Sequence, residues 1–406
     1  MIASIDGSRL IARLGQLGDT GRDEAGRLCR VAASDADKAG RDLLRDWLQG
    51  AGLRVEIDRI GNIYGIWKPE GASGAPVVMG SHIDTVIDAG IYDGCYGVLS
   101  GLAVIEAMQA AGLRPARPIA VVAFTNEEGV RYAPDMMGSL VAAGGLATDE
   151  ALATVGTDGT TLGAELARIG YAGPHEPGFL RPHAYVELHV EQGPVLEAEG
   201  MALGAVENLQ GISWQQVTIG GNANHAGTTP MAMRQDAGVA AARVIVFLDQ
   251  LARSTPGAVA TVGTIAFRPN AINVIPSQAI FTVDLRNPDE QRLSSQEAAL
   301  DSFLSDLRDE GFSVSSERLA RFQPVTFAPE ILAAIEASAA ERQLACRRMT
   351  SGAGHDAQMI ARVAPSAMIF VPSKGGISHN PAEFSADGDL VAGANVLLDV
   401  IGKLSQ

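Results

Sequence analysis

The sequence predicts an α/β protein: a large domain with a mostly parallel central sheet and helices on both faces, plus a smaller inserted α+β domain. Three observations predict it. Short β-branched runs alternate with helical segments through the first half, the pattern of strands joined by helical crossovers. Near Gly211 the texture changes to longer strand patterns with only two helices. After about residue 325 the first texture returns, as it must if the middle block is an insertion into one parent domain. The length of 406 residues agrees, since about two to three domains is the expectation for such a chain.

Taken in order, "AGRDLLRDWLQGAG" is amphipathic and stops at glycine, "VVMG" is a buried strand, and "GVLSGLAVIEAMQAAG" is a helix ending at Gly112. "IAVVAF", a continuous β-branched run of the kind that a doubly covered sheet requires, and "AYVELHV" are two further strands. In the middle block, "ISWQQVTIGG", "ATVGTIAFRP" and "QAIFTVDLRN" read as strands, and "QDAGVAAARVIVFLDQLA" and "SSQEAALDSFLSDLRDEG" as helices. The last part holds the helix "APEILAAIEASAAERQL", the strand "AMIFVP" and the helix "DGDLVAGANVLLDVIGKL". The expected domains are therefore 1–210 with 326–406, and 211–325.

Composition excludes several functions. A net charge of -16 is wrong for general nucleic-acid binding, which needs basic surface to displace counterions. No apolar run is long enough to span a membrane, and "MIASIDGSRLIARLG" lacks the segments of a secretory signal. Cys29, Cys95 and Cys346 have no short spacing, which disfavours a disulfide framework and a thiolate zinc site. A reduced cytoplasm is the expected compartment.

Chemistry gathers at five polar segments placed at strand ends or helix starts. "GSHIDTV" sets His82 and Asp84 two apart, on one face of an extended chain. Asp84 could there accept the second imidazole N–H and fix the tautomer of a metal-binding His82. In "YDGCYGVLSGL", Asp93 is either a ligand or a helix N-cap. "FTNEEGVRY" ends a buried strand with Glu127 and Glu128; they either open a solvated loop or divide two tasks between them. "VELHVEQG" offers Glu187, His189 and Glu191 on a common face, and "GGISHNPAEF" puts His379 in a glycine-rich loop. Taken together, His82, Asp93, Glu128, His189 and His379 form a nitrogen-and-oxygen donor set without cysteine, suited to zinc, manganese, nickel or cobalt. Five donors can hold two divalent ions about 3.5–4 Å apart if one carboxylate bridges. Water between such ions ionises near neutral pH; Glu128 would bind metal and Glu127 would be the general base.

The segments "GSHIDTV", "YDGCYGVL", "FTNEEGVRY", "ELHVEQGPVLE", "NHAGTTPM", "SGAGHDA" and "SHNPAEF" resemble, in order, the hydantoinase/carbamoylase branch of the metal-dependent amidohydrolases related to M20 peptidases. The resemblance runs from about residue 25 to 385 and rests on the combination rather than on any one piece. It implies a metal-dependent exopeptidase-like catalytic domain with two metal ions, an inserted lid and dimerisation domain, and a homodimer. It carries ligation onto His82, Asp93, Glu128, His189 and His379, with Asp93 bridging and Glu127 as base. His189 stands where the peptidase branch has an acidic residue, which points to the carbamoylase side. The same comparison puts Arg286 on the substrate carboxylate, a task a guanidinium fork suits, although a surface arginine at a strand end would look alike. Asn273 and His225 match substrate-contacting residues of the lid domain, and His225 matches a group that polarises the scissile carbonyl. Gln192 and His355 match polar positions around the substrate, a core or turn role for His355 being the alternative. His175 and His183 read as surface histidines.

The implied activity is metal-dependent hydrolysis of a carbamoyl or ureido C–N bond on a small carboxylate, releasing ammonia and carbon dioxide. N-Carbamoyl-L-amino acids are favoured over allantoate and 3-ureidopropionate. An N-acyl-amino-acid or dipeptide hydrolase is a second expectation. A binding protein with a relic metal site is a third, opposed by the presence of Glu127.

Overall fold

The apolar runs become strands at the places predicted: Val77–His82, Ile119–Phe124, Ala184–Val190 and Ser366–Val371. In the computed structural model, which describes residues 3–406, the chain divides into two units. One extends to Glu207 and resumes at Phe327, and the other is Asn208–Thr326.

In the first unit these four strands lie side by side in the order Ile119–Phe124, Val77–His82, Ala184–Val190, Ser366–Val371, all parallel. Every residue in them is buried, as their largely apolar texture requires. The flanks are antiparallel: Ile63–Trp67 and then Arg54–Ile57 on one side, Leu203–Leu209 on the other, with Cys346–Ser351 pairing the last. These outer strands escape the sequence reading; "RVEI" and "CRRMTS" are short, partly exposed and charged. The helix Cys95–Ala110 is apolar almost all round, as a helix enclosed on every side should be. A Cβ on its Gly97 would press on the carbonyl of Leu188, so the missing side chain sets how closely helix and sheet approach. The helix Asp387–Leu404 packs through Gly393 on Leu188 and Val371. On the other face, Ala357 at the start of Asp356–Ile360 donates its N–H to Glu187 at 2.7 Å. Leu188 and Glu187 are strand neighbours, so these contacts put helices on both faces of the sheet.

The second unit is an antiparallel sheet ordered Ser313–Phe322, Gly211–Gly220, Gln278–Asn287, Val259–Thr261, with Ile265–Arg268 also paired to Gln278–Asn287. Gly211–Gly220 and Gln278–Asn287 alternate buried and partly exposed residues along their length. The inward set, including Val217, Ile219, Phe281, Val283 and Leu285, packs with Val244 and Leu248 of Ala237–Ser254 and Leu293 and Leu300 of Glu290–Asp309. Asp236 and Asp289 cap these two helices through their side chains. The run "ATVGTIAFRP", expected as one strand, is two. Thr261 lies opposite Asp284 and Ile265 opposite Phe281, so one extra residue is accommodated between them as in a bulge. Among the described residues no helix is long and apolar enough to cross a membrane.

Candidate active site

The parallel strands deliver their functional residues at their carboxyl ends, where loops leave the sheet and ligands gather in such folds. His82 ends one strand, and its Nδ1 donates to the carbonyl oxygen of Asp84 at 2.9 Å. His189 lies one residue from the end of another, and its Nδ1 donates to the carbonyl of Val190 at 2.8 Å. A carbonyl can only accept, so both Nδ1 atoms carry hydrogen, and Nε2 is the atom through which either ring could bind a metal.

Here Asp84 departs from expectation. Its carboxylate lies 3.9 Å from His82 Nδ1 and does not take that hydrogen. It accepts instead the backbone N–H of Glu127 at 3.2 Å and of Glu128 at 3.3 Å. Both N–H groups are released when the chain leaves the strand at Phe124, and buried donors need acceptors. Asp84 therefore anchors the two-glutamate turn, while its carbonyl fixes the imidazole.

Asp93 is not a helix cap. The following helix starts at Cys95 with Gly94 as N-cap at φ +63 and no side-chain cap. A Cβ on Gly94 would run into the His82 ring, so both conformation and space require glycine there. Asp93 turns its carboxylate to three histidines. Oδ1 lies 3.6 Å from His82 Nε2 and 3.2 Å from His189 Nε2, and Oδ2 lies 3.2 Å from His379 Nε2. Glu128 Oε2 stands 3.4 Å from His379 Nε2, and Glu127 Oε2 is 3.4 Å from His82 Nε2. Gln192, at φ +57, donates from Nε2 to Asp93 Oδ2 at 2.8 Å. His355 is buried with Nε2 3.1 Å from Ser351 Oγ, its ring centre 4.6 Å from that of His189. Asp93, Glu127, Glu128, Gln192, His355 and His379 line one small cavity, together with Asp135, Ala353 and Gly354.

Glu191 does not share the face of Glu187 and His189. The strand ends at Val190, and the Glu191 carboxylate accepts the N–H groups of Val195 and Leu196 at the next helix start. Glu187 is held by Ser81 at 2.6 Å and by Ala357.

The electrostatics describe a site short of positive charge. Burial pushes the Glu127 carboxyl well above its ordinary value and Glu128 up to about 7. Against the effect of burial, the three histidines hold Asp93 well below the carboxylate range. Burial would lower His82, but the facing carboxylates of Glu127 and Asp93 outweigh it and hold the ring well above its usual value. Asp93 raises His379 to about 9. Burial, together with the neighbouring His189, drives His355 well below the usual range.

This donor set fits divalent metal. His82, Asp93 and His189 converge on one point, and Asp93, Glu128 and His379 on another. Ligands with bonds of about 2.0–2.1 Å around a tetrahedral ion are about 3.3 Å apart. The Asp93–histidine separations of 3.2–3.6 Å bracket that edge.

The remaining residues singled out from the sequence belong to the second unit. His225 accepts the N–H groups of Gly227 and Thr228 on Nδ1, at 3.0 and 3.2 Å, which leaves Nε2 as the protonated nitrogen of the neutral ring. Asn273 supports this loop by accepting the N–H of Ala226 at 2.9 Å. Arg286 bonds to Asp284, two residues back on its own strand, from Nη2 at 2.8 Å. Sequence reasoning passed over Glu383, which accepts the N–H groups of Tyr92 and Asp93, and Ser378, which bonds to Glu383 at 3.0 Å. Both lie in "GGISHNPAEF", and only the fold brings them beneath Asp93. Asp135 was missed as well.

A model of peptidase family M20/M25/M40 matches residues 78–403. An N-carbamoyl-L-amino-acid amidohydrolase of Rhizobium meliloti is 39% identical over 99% of this chain and 97% of its own. An allantoate deiminase of Arabidopsis thaliana is 34% identical over 96% of this chain and 81% of its own. Among solved structures, a hydantoinase/carbamoylase-family amidase from Burkholderia multivorans superposes with a TM-score of 0.96 at 42% identity, covering 99% of this chain and 98% of that one.

Proposed function

Since the chain belongs to peptidase family M20/M25/M40 and to its hydantoinase/carbamoylase branch, we propose that it is a metal-dependent hydrolase of N-carbamoyl-L-amino acids. The products are the free amino acid, ammonia and carbon dioxide. One observation carries the reading: the two oxygens of Asp93 face two different histidine sets, as a carboxylate shared between two ions would. The names of the similar amidohydrolases supply the substrate class.

His82, Asp93, Glu128, His189 and His379 would hold two divalent ions, of zinc, manganese, nickel or cobalt. Such ions acidify water and polarise the scissile carbonyl. Glu127 takes a proton from the attacking water and returns it to the leaving nitrogen, a task that a carboxyl raised by burial suits. His225 donates from Nε2 to the carbonyl oxygen as negative charge develops there. Arg286 grips the substrate carboxylate, and Gln192, Asn273 and His355 complete its polar contacts. We assign the second unit the roles of lid and dimerisation domain, the active species being a homodimer. We assign it to the cytoplasm, a reading that the three free cysteines support.

The test is ammonia release by metal-stripped protein, with and without added manganese, zinc, cobalt or nickel. Substrates are N-carbamoyl-L-amino acids, allantoate, 3-ureidopropionate and N-acetyl controls. Metal-dependent ammonia from N-carbamoyl-L-amino acids is expected. Ammonia from allantoate alone would move the substrate, and amino acid freed only from the acetyl controls would replace the reading with an acylase.

A further inference from the structure

Asp135 is the one residue of the cavity wall whose chemistry the scheme above leaves unused. Its position follows from how the loop after the two glutamates folds back. Met136 donates its N–H to the carbonyl of Glu127 at 2.7 Å, and Met137 to that of Asn126 at 3.2 Å. Gly129, at φ +66, has no Cβ where the backbone of Asp135 passes; a Cβ there would lie 2.9 Å from Asp135 Cα. Asp135 is thereby pressed against the Glu127–Gly129 turn and lines the cavity that Asp93, Glu127, Glu128, Gln192, His355 and His379 also line.

Beyond its own backbone N–H, the Asp135 carboxylate takes no hydrogen bond or ion pair from another described residue. A third carboxylate beside Glu127 and Glu128 is a poor choice for a site that admits an anionic substrate, since it adds like charge. It becomes a good choice if the substrate brings hydrogen-bond donors to that wall. A ureido group does so through its terminal NH2. The N-acyl group of the same shape puts a methyl there, which donates nothing.

We propose that Asp135 is a specificity residue that accepts a hydrogen bond from the terminal NH2 of the carbamoyl group and so selects carbamoyl over acyl substrates. The inference rests on the reading that the chain hydrolyses carbamoyl substrates. A site placed to bond an N–H favours the substrate that supplies it over the analogue that sets a methyl against a charged oxygen.

The experiment compares kcat/KM for matched N-carbamoyl and N-acetyl derivatives of one L-amino acid. It uses metal-loaded full-length wild type, Asp135→Ala and Asp135→Asn, with metal content measured on each. Asp135→Ala is expected to lower kcat/KM for the carbamoyl substrate by about tenfold or more, with the acetyl substrate changed by less than about threefold. Asp135→Asn, which keeps an acceptor oxygen, is expected to lie between. An equal fall on both substrates would assign Asp135 to loop structure, and no change on either would place it out of reach; each overturns the proposal. Wild type that cleaves only the acetyl compound removes the underlying reading. Wild type that prefers the carbamoyl compound, with the preference intact in Asp135→Ala, removes only the role of Asp135.

Discussion

Ile119–Phe124 and Gln278–Asn287 are both central strands, yet they are built on opposite rules. The first is buried at every residue; the second buries alternate residues and leaves the others partly exposed. A strand covered on both faces tolerates an ionisable group along its length only where partners hold it, as Ser81 and Ala357 hold Glu187, so most polar residues collect where the chain leaves the sheet. Thr125 to Glu128 follow Phe124 directly, and the site grows from them. A strand with one open face can carry a polar side chain at any second position, as Asp284 and Arg286 do. The parallel sheet thus concentrates its chemistry at one end, whereas the antiparallel sheet distributes polar groups over a surface.

Substitutions test that contrast. Glu127→Gln, at the end of the doubly covered strand, should lower turnover by about 10³-fold or more while metal content is unchanged. Loss of metal together with activity would exchange the roles of Glu127 and Glu128, both of which lie 3.4 Å from a histidine Nε2. Phe281→Ala, in the core of the alternating sheet, should cost about 3–5 kcal/mol of that unit's stability. It would appear as an earlier unfolding transition, with the metal content of the native protein unaltered. A loss of metal at native conditions would show that the metal donors depend on the packing of the second unit.

Asp84→Asn should have the smallest effect and sharpen the comparison most. One carboxylate oxygen becomes an NH2 group facing a backbone N–H, so the Glu127–Glu128 turn loosens. A fall of about 10–100-fold in kcat is expected, with KM and metal affinity little changed. If Asp84 acted through the His82 imidazole instead, metal affinity would fall with the rate.

Much of the site was legible in the sequence because its donors are of unusual types at unusual places. A histidine or a pair of glutamates closing an apolar run is a weak signal alone, and His82, Glu127, Glu128 and His189 stood out only as parts of one combined donor set. The fold class was legible for a related reason, since continuous and alternating burial write different periods into the chain. The outer strands Arg54–Ile57 and Cys346–Ser351 were not, because partial exposure erases that period.

The sequence by itself determined which residues could serve: the α/β alternation, the strand ends and the nitrogen-and-oxygen donors without cysteine. Only the tertiary structure decided what each one faces. Asp84 and Glu191 look like partners of the neighbouring histidines, yet both spend their oxygens on backbone N–H groups. Asp93, Gln192, Glu383 and Asp135 come from distant loops, and only contacts that no local pattern encodes bring them together. The physical reason is that spacing along the chain sets the direction of a side chain, whereas hydrogen-bond demand in the folded interior sets its partner.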